Sequence, residues 1–113
     1  KAGGHIGDIG HAIESFVRSH KYGIVRELCG HGVGYAVHED PMVPNVGRPG
    51  TGAELKPGLV LAIEPMLTLG SHEVVFDEKD GYTVRTKDGS QSAHFEHTIV
   101  ITERGSETLT LSR

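Results

Sequence analysis

The sequence has few thiols and little positive charge, and each shortage excludes a class of protein. With the single cysteine Cys29 it can form neither an internal disulfide nor a thiolate zinc cluster. Its net charge is −4 and the charges are interspersed, so it lacks a basic stripe for nucleic acid or for a membrane surface. The longest apolar run, Leu59 to Ile63, is far shorter than the about 20 residues of a membrane span, and the N-terminus carries no signal-peptide hydrophobic region. We therefore expect a cytoplasmic protein that binds neither nucleic acid nor membrane.

Length and patterning indicate one α+β domain over residues 1–113. With 113 residues, 36% of them hydrophobic and 23% charged, the chain has the balance of an ordinary globular domain. Apolar residues spaced three and four apart from Ile6 to Val17 predict an amphipathic helix over roughly 6–20. Strands are predicted at 30–34, 59–63, 72–76, 82–86, 94–102 and 108–111. One helix packed on a mostly antiparallel sheet is the expected architecture.

A long segment between these elements is expected to be irregular. Residues 40–55 include three prolines and several glycines without a period, so they predict a loop. Loops of this length in small domains are more often functional than not. The segment Lys56-Pro57-Gly58 then predicts a turn that leads into the apolar strand 59–63.

Two glutamates stand where strands normally carry apolar side chains. Glu64 follows residues 59–63 and precedes Pro65, and Glu96 leads into the apolar residues 99–101. An unpaired buried carboxylate is costly, so each needs a cation, a metal or a proton. For Glu64, an ion pair or a solvent-exposed strand end is the alternative. If both side chains share a face they repel each other, and a divalent cation between them makes the arrangement favourable.

Two histidines add donors to this set. His31 lies between Gly30 and Gly32, so its imidazole can project freely and the backbone can approach a neighbour. One histidine and two carboxylates suit Mn, Fe, Co or Zn. His38, at the start of the long loop, is a candidate proton donor or hydrogen-bond partner for a substrate, or is solvated surface. Cys29 is interpreted as a small packing residue, because adjacent strand residues point to opposite faces.

Taken together, four segments resemble, in order and spacing, the signature segments of type I methionine aminopeptidases. They are 30–34, 38–41, 62–66 and 95–98, and the resemblance covers essentially the whole chain. It implies the C-terminal half of the pita-bread fold, as part of a catalytic domain. In that family, two aspartates, one histidine and two glutamates hold two metal ions. The aspartates lie upstream of the part that this sequence matches, and Asp8 matches neither of them.

The resemblance also implies a role for each matching residue. His31, Glu64 and Glu96 correspond to metal ligands, with Glu96 bridging the two ions and Glu64 also serving as the catalytic proton shuttle. His38 corresponds to the histidine that contacts the scissile amide in substrate binding and catalysis. Tyr82, together with Val37, stands at a departure from the family pattern and is predicted to shape the methionine pocket. The implied reaction removes the N-terminal initiator methionine of peptides or nascent proteins, with metal-bound hydroxide attacking the first peptide bond.

Other differences from the family pattern affect the metal binding and activity expected of this chain by itself. His94 stands where the family often has glutamine. Two glutamates neutralise one divalent ion, so we expect at most one of Co, Mn, Fe or Zn here and activity that depends on an upstream half. Contact with that half, or self-association, is expected. The alternatives are a non-catalytic half-fold that binds a peptide or protein and, less favoured, a creatinase-like dipeptidase acting on X-Pro bonds.

Overall fold

The computed structural model describes residues 1–112, which form one helix and ten short strands. The elements are α1 (Ile6–Ser19), β1 (Gly23–Ile24), β2 (Gly30–Gly32), β3 (Glu39–Val43), β4 (Val60–Ile63), β5 (Met66–Thr68), β6 (Val74–Phe76), β7 (Val84–Thr86), β8 (Ser92–His94), β9 (His97–Ile101) and β10 (Ser106–Thr108). All strand pairs are antiparallel. The predicted α+β class is confirmed.

Helix α1 begins and ends close to the predicted bounds. At its start, the Asp8 carboxylate accepts a hydrogen bond from the His5 backbone N–H at 2.7 Å. Its apolar face buries Ile6 and Val17. No helix among residues 1–112 has both the length and the apolar character needed to span a membrane. The helix therefore packs as the sequence pattern predicted, with one face on the rest of the fold.

The strands form three sheets, and the largest one carries the core. Its order is β10-β9-β4-β2-β3, while β1-β5-β8 form a second sheet and β6-β7 a hairpin. The side chains of Leu61 and Val43 are fully buried, and Leu55, Ile101 and Ile6 complete the same cluster. Because Ile6 belongs to α1, the core joins the helix to the five-stranded sheet.

The long loop begins later than predicted. Its first residues form β3, which pairs with β2 at the outer side of the sheet. His31 pairs with Met42 and Gly32 with Glu39, so Asp40 and Pro41 have no opposing residue. Proline, which lacks an N–H group, is tolerated at such a bulge in an edge strand. The prediction of irregular structure from residue 40 was therefore wrong up to Val43.

The strand predicted over residues 94–102 is wrong as a single element. It is divided into β8, which pairs with β5, and β9, which pairs with β4 and β10. Residues Phe95 and Glu96 lie between the two strands, where the chain passes from one sheet to the other. Strand β5 was not predicted, because the apolar run ends before Pro65.

Beyond Val43 the predicted loop is present and packs on α1. The backbone N–H of Gly50 donates to Asp8 Oδ1 at 2.7 Å, and that of Gly47 donates to Glu14 Oε2 at 3.3 Å. The Gly50 N–H group, followed by that of His5, lowers the pKa of the Asp8 carboxyl. The loop closes in the predicted turn, where Gly58 has φ of 89° and the Leu59 N–H donates to the Lys56 carbonyl.

Candidate metal centre

The three predicted ligands converge on one point. Donor atoms of His31, Glu64 and Glu96 all lie within 4.8 Å of one another. The register of the five-stranded sheet explains why. Ile63 of β4 pairs with His97 of β9, and in an antiparallel pair the residue after one and the residue before the other are neighbours. Glu64 and Glu96 occupy those two positions, at the same end of the pair.

The glycines beside His31 allow its strand to pack closely against both neighbouring strands. A Cβ at Gly30 would collide with the carbonyl oxygen of Ala62 in β4. A Cβ at Gly32 would collide with that of Asp40 in β3. The sequence predicted a close approach to a neighbour here, and the neighbour is the backbone of the two flanking strands. Close packing on both sides holds the His31 imidazole in place.

The hydrogen bond of His31 determines what its second nitrogen can do. Its Nδ1 lies 2.8 Å from the carbonyl oxygen of Gly32, which only accepts, so Nδ1 carries a proton. In the neutral ring, Nε2 then presents a lone pair, and it faces Glu64 Oε1 at 3.1 Å. Two acceptors at this distance need a cation or a proton between them. Donors bound at about 2.1 Å to one metal ion lie roughly 3 Å apart when the bond angle is near 90°, so the pair fits a divalent metal.

Glu64 is held from two sides. Its Oε1 faces His31, and its Oε2 lies 3.1 Å from Nε2 of His94. The Glu64 side chain is only 13% exposed, so it is not a solvated strand end. Placing a histidine hydrogen bond on a ligating carboxylate is a common way of fixing its orientation. The ion-pair alternative for Glu64 requires a protonated histidine, and the two histidines that contact Glu64 could supply one.

Glu96 differs from Glu64 in its surroundings. It is exposed, so the argument that burial forces it to find a cation holds for Glu64 and is wrong for Glu96. Glu96 lies in the short segment that connects β8 to β9, and this position brings it into the cluster. An exposed carboxylate opposite a half-buried one leaves one side of the cluster open to solvent.

The remaining predicted site residues are placed differently. The His38 ring packs on that of His31, with ring centroids 3.9 Å apart, so it lies beside the cluster. Tyr82 lies between β6 and β7 with its side chain 80% exposed, and among residues 1–112 no hydrogen bond joins that side chain to the cluster. Val37 is also exposed, and Cys29 is half-buried with a free thiol.

Two contacts to Glu64 were missed from the sequence. One is the His94 contact, which was noted only as a departure at that position. The other comes from Asn45, whose side-chain Nδ2 donates to the Glu64 backbone carbonyl at 3.3 Å. Nothing in the Pro-Asn-Val segment signals this contact, because it joins residues 19 positions apart.

Comparisons with known proteins show what the chain is similar to. Residues 1–103 match metallopeptidase family M24. The chain is 46% identical over 112 residues to a methionine aminopeptidase of Rickettsia prowazekii, covering 99% of this chain and 43% of that protein. It is 51% identical over 110 residues to methionine aminopeptidase 1 of Bacillus subtilis, covering 97% and 44%.

Solved structures give the same result. The crystal structure of the Rickettsia prowazekii methionine aminopeptidase superposes with a TM-score of 0.96 at 45% identity, covering 98% of this chain and 45% of that one. That of the Thermotoga maritima methionine aminopeptidase gives 0.95 at 52% identity, covering 99% and 45%. The chain spans less than half the length of these relatives, and the predicted half of a pita-bread fold is confirmed. By sequence and by fold, the chain belongs to metallopeptidase family M24, and its resemblance to the methionine aminopeptidases is confirmed.

Proposed function

We propose that residues 1–113 are the C-terminal part of a methionine aminopeptidase catalytic domain and supply one side of its metal site. The observation that carries the proposal is the convergence of His31, Glu64 and Glu96 within 4.8 Å. These residues would hold a divalent ion, Co, Mn, Fe or Zn, through one imidazole nitrogen and two carboxylates. The whole protein would remove the N-terminal methionine of peptides or nascent proteins, since its relatives are named methionine aminopeptidases. Its proposed location is the cytoplasm.

The residues around the cluster suit this reaction. A bound divalent ion supplies Lewis-acid polarisation of the scissile carbonyl and lowers the pKa of water. Glu64, with one carboxylate oxygen toward His31 and the other toward His94, would accept a proton from the attacking water and pass it to the leaving amine. His38, packed beside His31, would donate a hydrogen bond to the scissile amide. Tyr82 is proposed to contact the substrate side chain.

The charge of the site sets the number of ions. Glu64 and Glu96 together neutralise one divalent ion, so this chain alone would hold at most one. The relatives are more than twice as long as the matched region, and we propose that the further carboxylate ligands lie in the upstream half of such a protein. Activity would then need both halves.

An apolar surface on this chain supports contact with that half. Phe16 of α1 is 68% exposed and Phe95, next to Glu96, is 70% exposed. They line adjoining grooves that share Tyr22 and Leu67. Large exposed apolar side chains that adjoin one another favour association, and the upstream half or a second copy of the chain would cover them.

Calorimetric titration of the metal-free chain with Mn²⁺ tests the proposal. We expect one ion per chain, lost in Glu96→Ala and retained in Glu103→Ala, since Glu103 is exposed on the turn after β9. Cleavage of a Met-Ala-Ser peptide is expected only from a protein extended upstream to the length of the relatives. No metal binding by either protein would contradict the proposal and favour a non-catalytic module that binds a peptide or protein.

A further inference from the structure

We infer that Asn45 is a positioning residue for the metal site, acting on Glu64 through the backbone rather than through the carboxylate. The inference rests on the proposed function, in which Glu64 binds the ion. It assigns a role to the loop between β3 and β4, which contributes no ligand of its own. Its basis is a buried amide side chain that spans 19 residues of sequence to reach the main chain of a ligand.

Burial makes the Asn45 contact significant. Asn45 is only 2% exposed, and its Nδ2 donates to the Glu64 carbonyl at 3.3 Å. Its Oδ1 is buried and has no hydrogen-bond partner among residues 1–112. A buried amide with an unsatisfied oxygen is unfavourable for stability. Packing alone would be served better by an apolar residue, so the hydrogen bond to Glu64 is the contact that distinguishes asparagine at this position.

Glu64 occupies a place where the sheets give its main chain little support. Strand β4 of the five-stranded sheet ends at Ile63, and β5 of the three-stranded sheet begins at Met66. Glu64 therefore belongs to neither strand. Pro65, which follows it, has no N–H group to donate. The Asn45 amide supplies a hydrogen bond to the Glu64 carbonyl at this passage between two sheets.

Asn45 can serve this purpose because its own loop is fixed. Immediately after it, the Val46 carbonyl lies so close to Gly10 of α1 that a Cβ there would meet the Val46 oxygen at 2.5 Å. The Gly47 N–H donates to Glu14 Oε2 at 3.3 Å on the same helix. Val43, just before it, is fully buried in the core. The loop thus ties α1 and the core to the backbone of Glu64.

The consequence for the site follows from two short contacts. The Glu64 carboxylate spans His31 Nε2 and His94 Nε2, each at 3.1 Å. Movement of its main chain by about 1 Å would lengthen at least one contact beyond hydrogen-bond range. Loss of partners that orient a ligand typically weakens metal affinity by about 10–100-fold. Removing the Asn45 amide is expected to act in this range.

The experiment compares Asn45→Leu and Asn45→Ala with Glu14→Ala in the full chain. Asn45→Leu keeps the size of the side chain but has no donor for the Glu64 carbonyl, whereas Glu14→Ala removes, among the contacts of the loop, only the Gly47 hydrogen bond and keeps the packing of Val43 and of Val46 on Gly10. Mn²⁺ affinity is measured by calorimetry, thermal stability by melting, and the His31 Nε2 to Glu64 Oε1 distance from crystal structures of the metal-free proteins. If Asn45→Ala does not fold, the near-isosteric Asn45→Leu decides.

We expect affinity about 10–100-fold weaker in both Asn45 variants, close to wild type in Glu14→Ala, and loss of the 3.1 Å contact in the Asn45 variants. Variants that melt earlier but keep both the contact and the affinity would overturn the inference and leave Asn45 a structural residue. If neither the wild-type chain nor a protein extended upstream takes up Mn²⁺, the proposed function fails. The distance measured in the metal-free variants then decides on Asn45 by itself, its retention overturning the inference and its loss upholding it.

Discussion

Replacing Glu64 by glutamine is the sharpest perturbation of the site. The substitution keeps the size of the side chain but removes one of two negative charges from the cluster formed with His31 and Glu96. The side chain is 13% exposed, so little solvent is available to compensate. The amide oxygen remains a weak ligand. The loss should therefore appear in metal affinity more than in folding.

The magnitude can be bounded from the charges. A carboxylate whose centre lies about 2.7 Å from a divalent ion interacts with it by roughly 3 kcal/mol even at the dielectric constant of water. That corresponds to about a hundredfold in binding. The bound is conservative, because the half-buried site screens less than water does.

Calorimetric titration with Mn²⁺ gives the readout, with Glu103→Gln as the matched control. Glu103 is an exposed glutamate on the turn between β9 and β10, outside the cluster. We expect Glu64→Gln to weaken binding at least about a hundredfold and Glu103→Gln to change it less than about twofold. Equal affinity of Glu64→Gln and wild type would refute the reasoning.

Three further predictions concern the histidine that contacts Glu64, the hydrophobic core and the pH dependence of stability. His94→Ala should weaken Mn²⁺ binding by about 10–100-fold, and His94→Gln, which keeps a donor toward Glu64 Oε2, should weaken it less; calorimetry that ranks the two variants equally would contradict this. Leu61→Ala should reduce the free energy of unfolding in urea by about 2–5 kcal/mol, because Leu61 is fully buried; a loss below about 1 kcal/mol would show that the core is misplaced. The adjacent Ser90 side chain and the backbone N–H groups of Ser71 and Ser90, which donate to the carboxylate at 2.8 and 3.0 Å, lower the pKa of the Asp88 carboxyl from 3.8 to about 2. Its stabilisation is therefore present above about pH 4 and is lost as pH falls toward 2. An Asp88 pKa near 3.8 by NMR titration would refute the lowered value.

Some of the fold was readable from the sequence because its causes are local. The spacing of Ile6, Ile9, Ile13 and Val17 has the helical period, and the structure has α1 there. The turn at Gly58 follows from the freedom of glycine to take positive φ. Glu64 was singled out because a carboxylate after five apolar residues needs a partner, and the structure places it between two histidines.

The parts that were missed depend on which strands pair. Alternation across residues 94–102 assumed one strand, but pairing with β5 before Phe95 and with β4 after Glu96 divides it. Glu96 therefore reaches the cluster from the segment that connects two sheets, rather than from the face of a strand. In the same way, Pro41 signals a loop by its chemistry, yet a bulge lets it lie in β3.

Side-chain contacts between residues far apart in the chain could not be predicted from the sequence. Asparagine is a residue type common in loops, so nothing in the sequence singles out Asn45. Its role depends on a hydrogen bond to Glu64, which lies 19 positions away. The contact of His94 with the same residue crosses 30 positions. Neither follows from spacing or propensity, because both are set by how the loop and two sheets meet.

The most direct test of the metal centre is anomalous diffraction from crystals of the chain grown with Mn²⁺. We predict one ion within bonding distance of His31 Nε2 and of carboxylate oxygens of Glu64 and Glu96. An anomalous peak elsewhere, or none at the cluster while Glu64 stays 3.1 Å from both histidines, would contradict it.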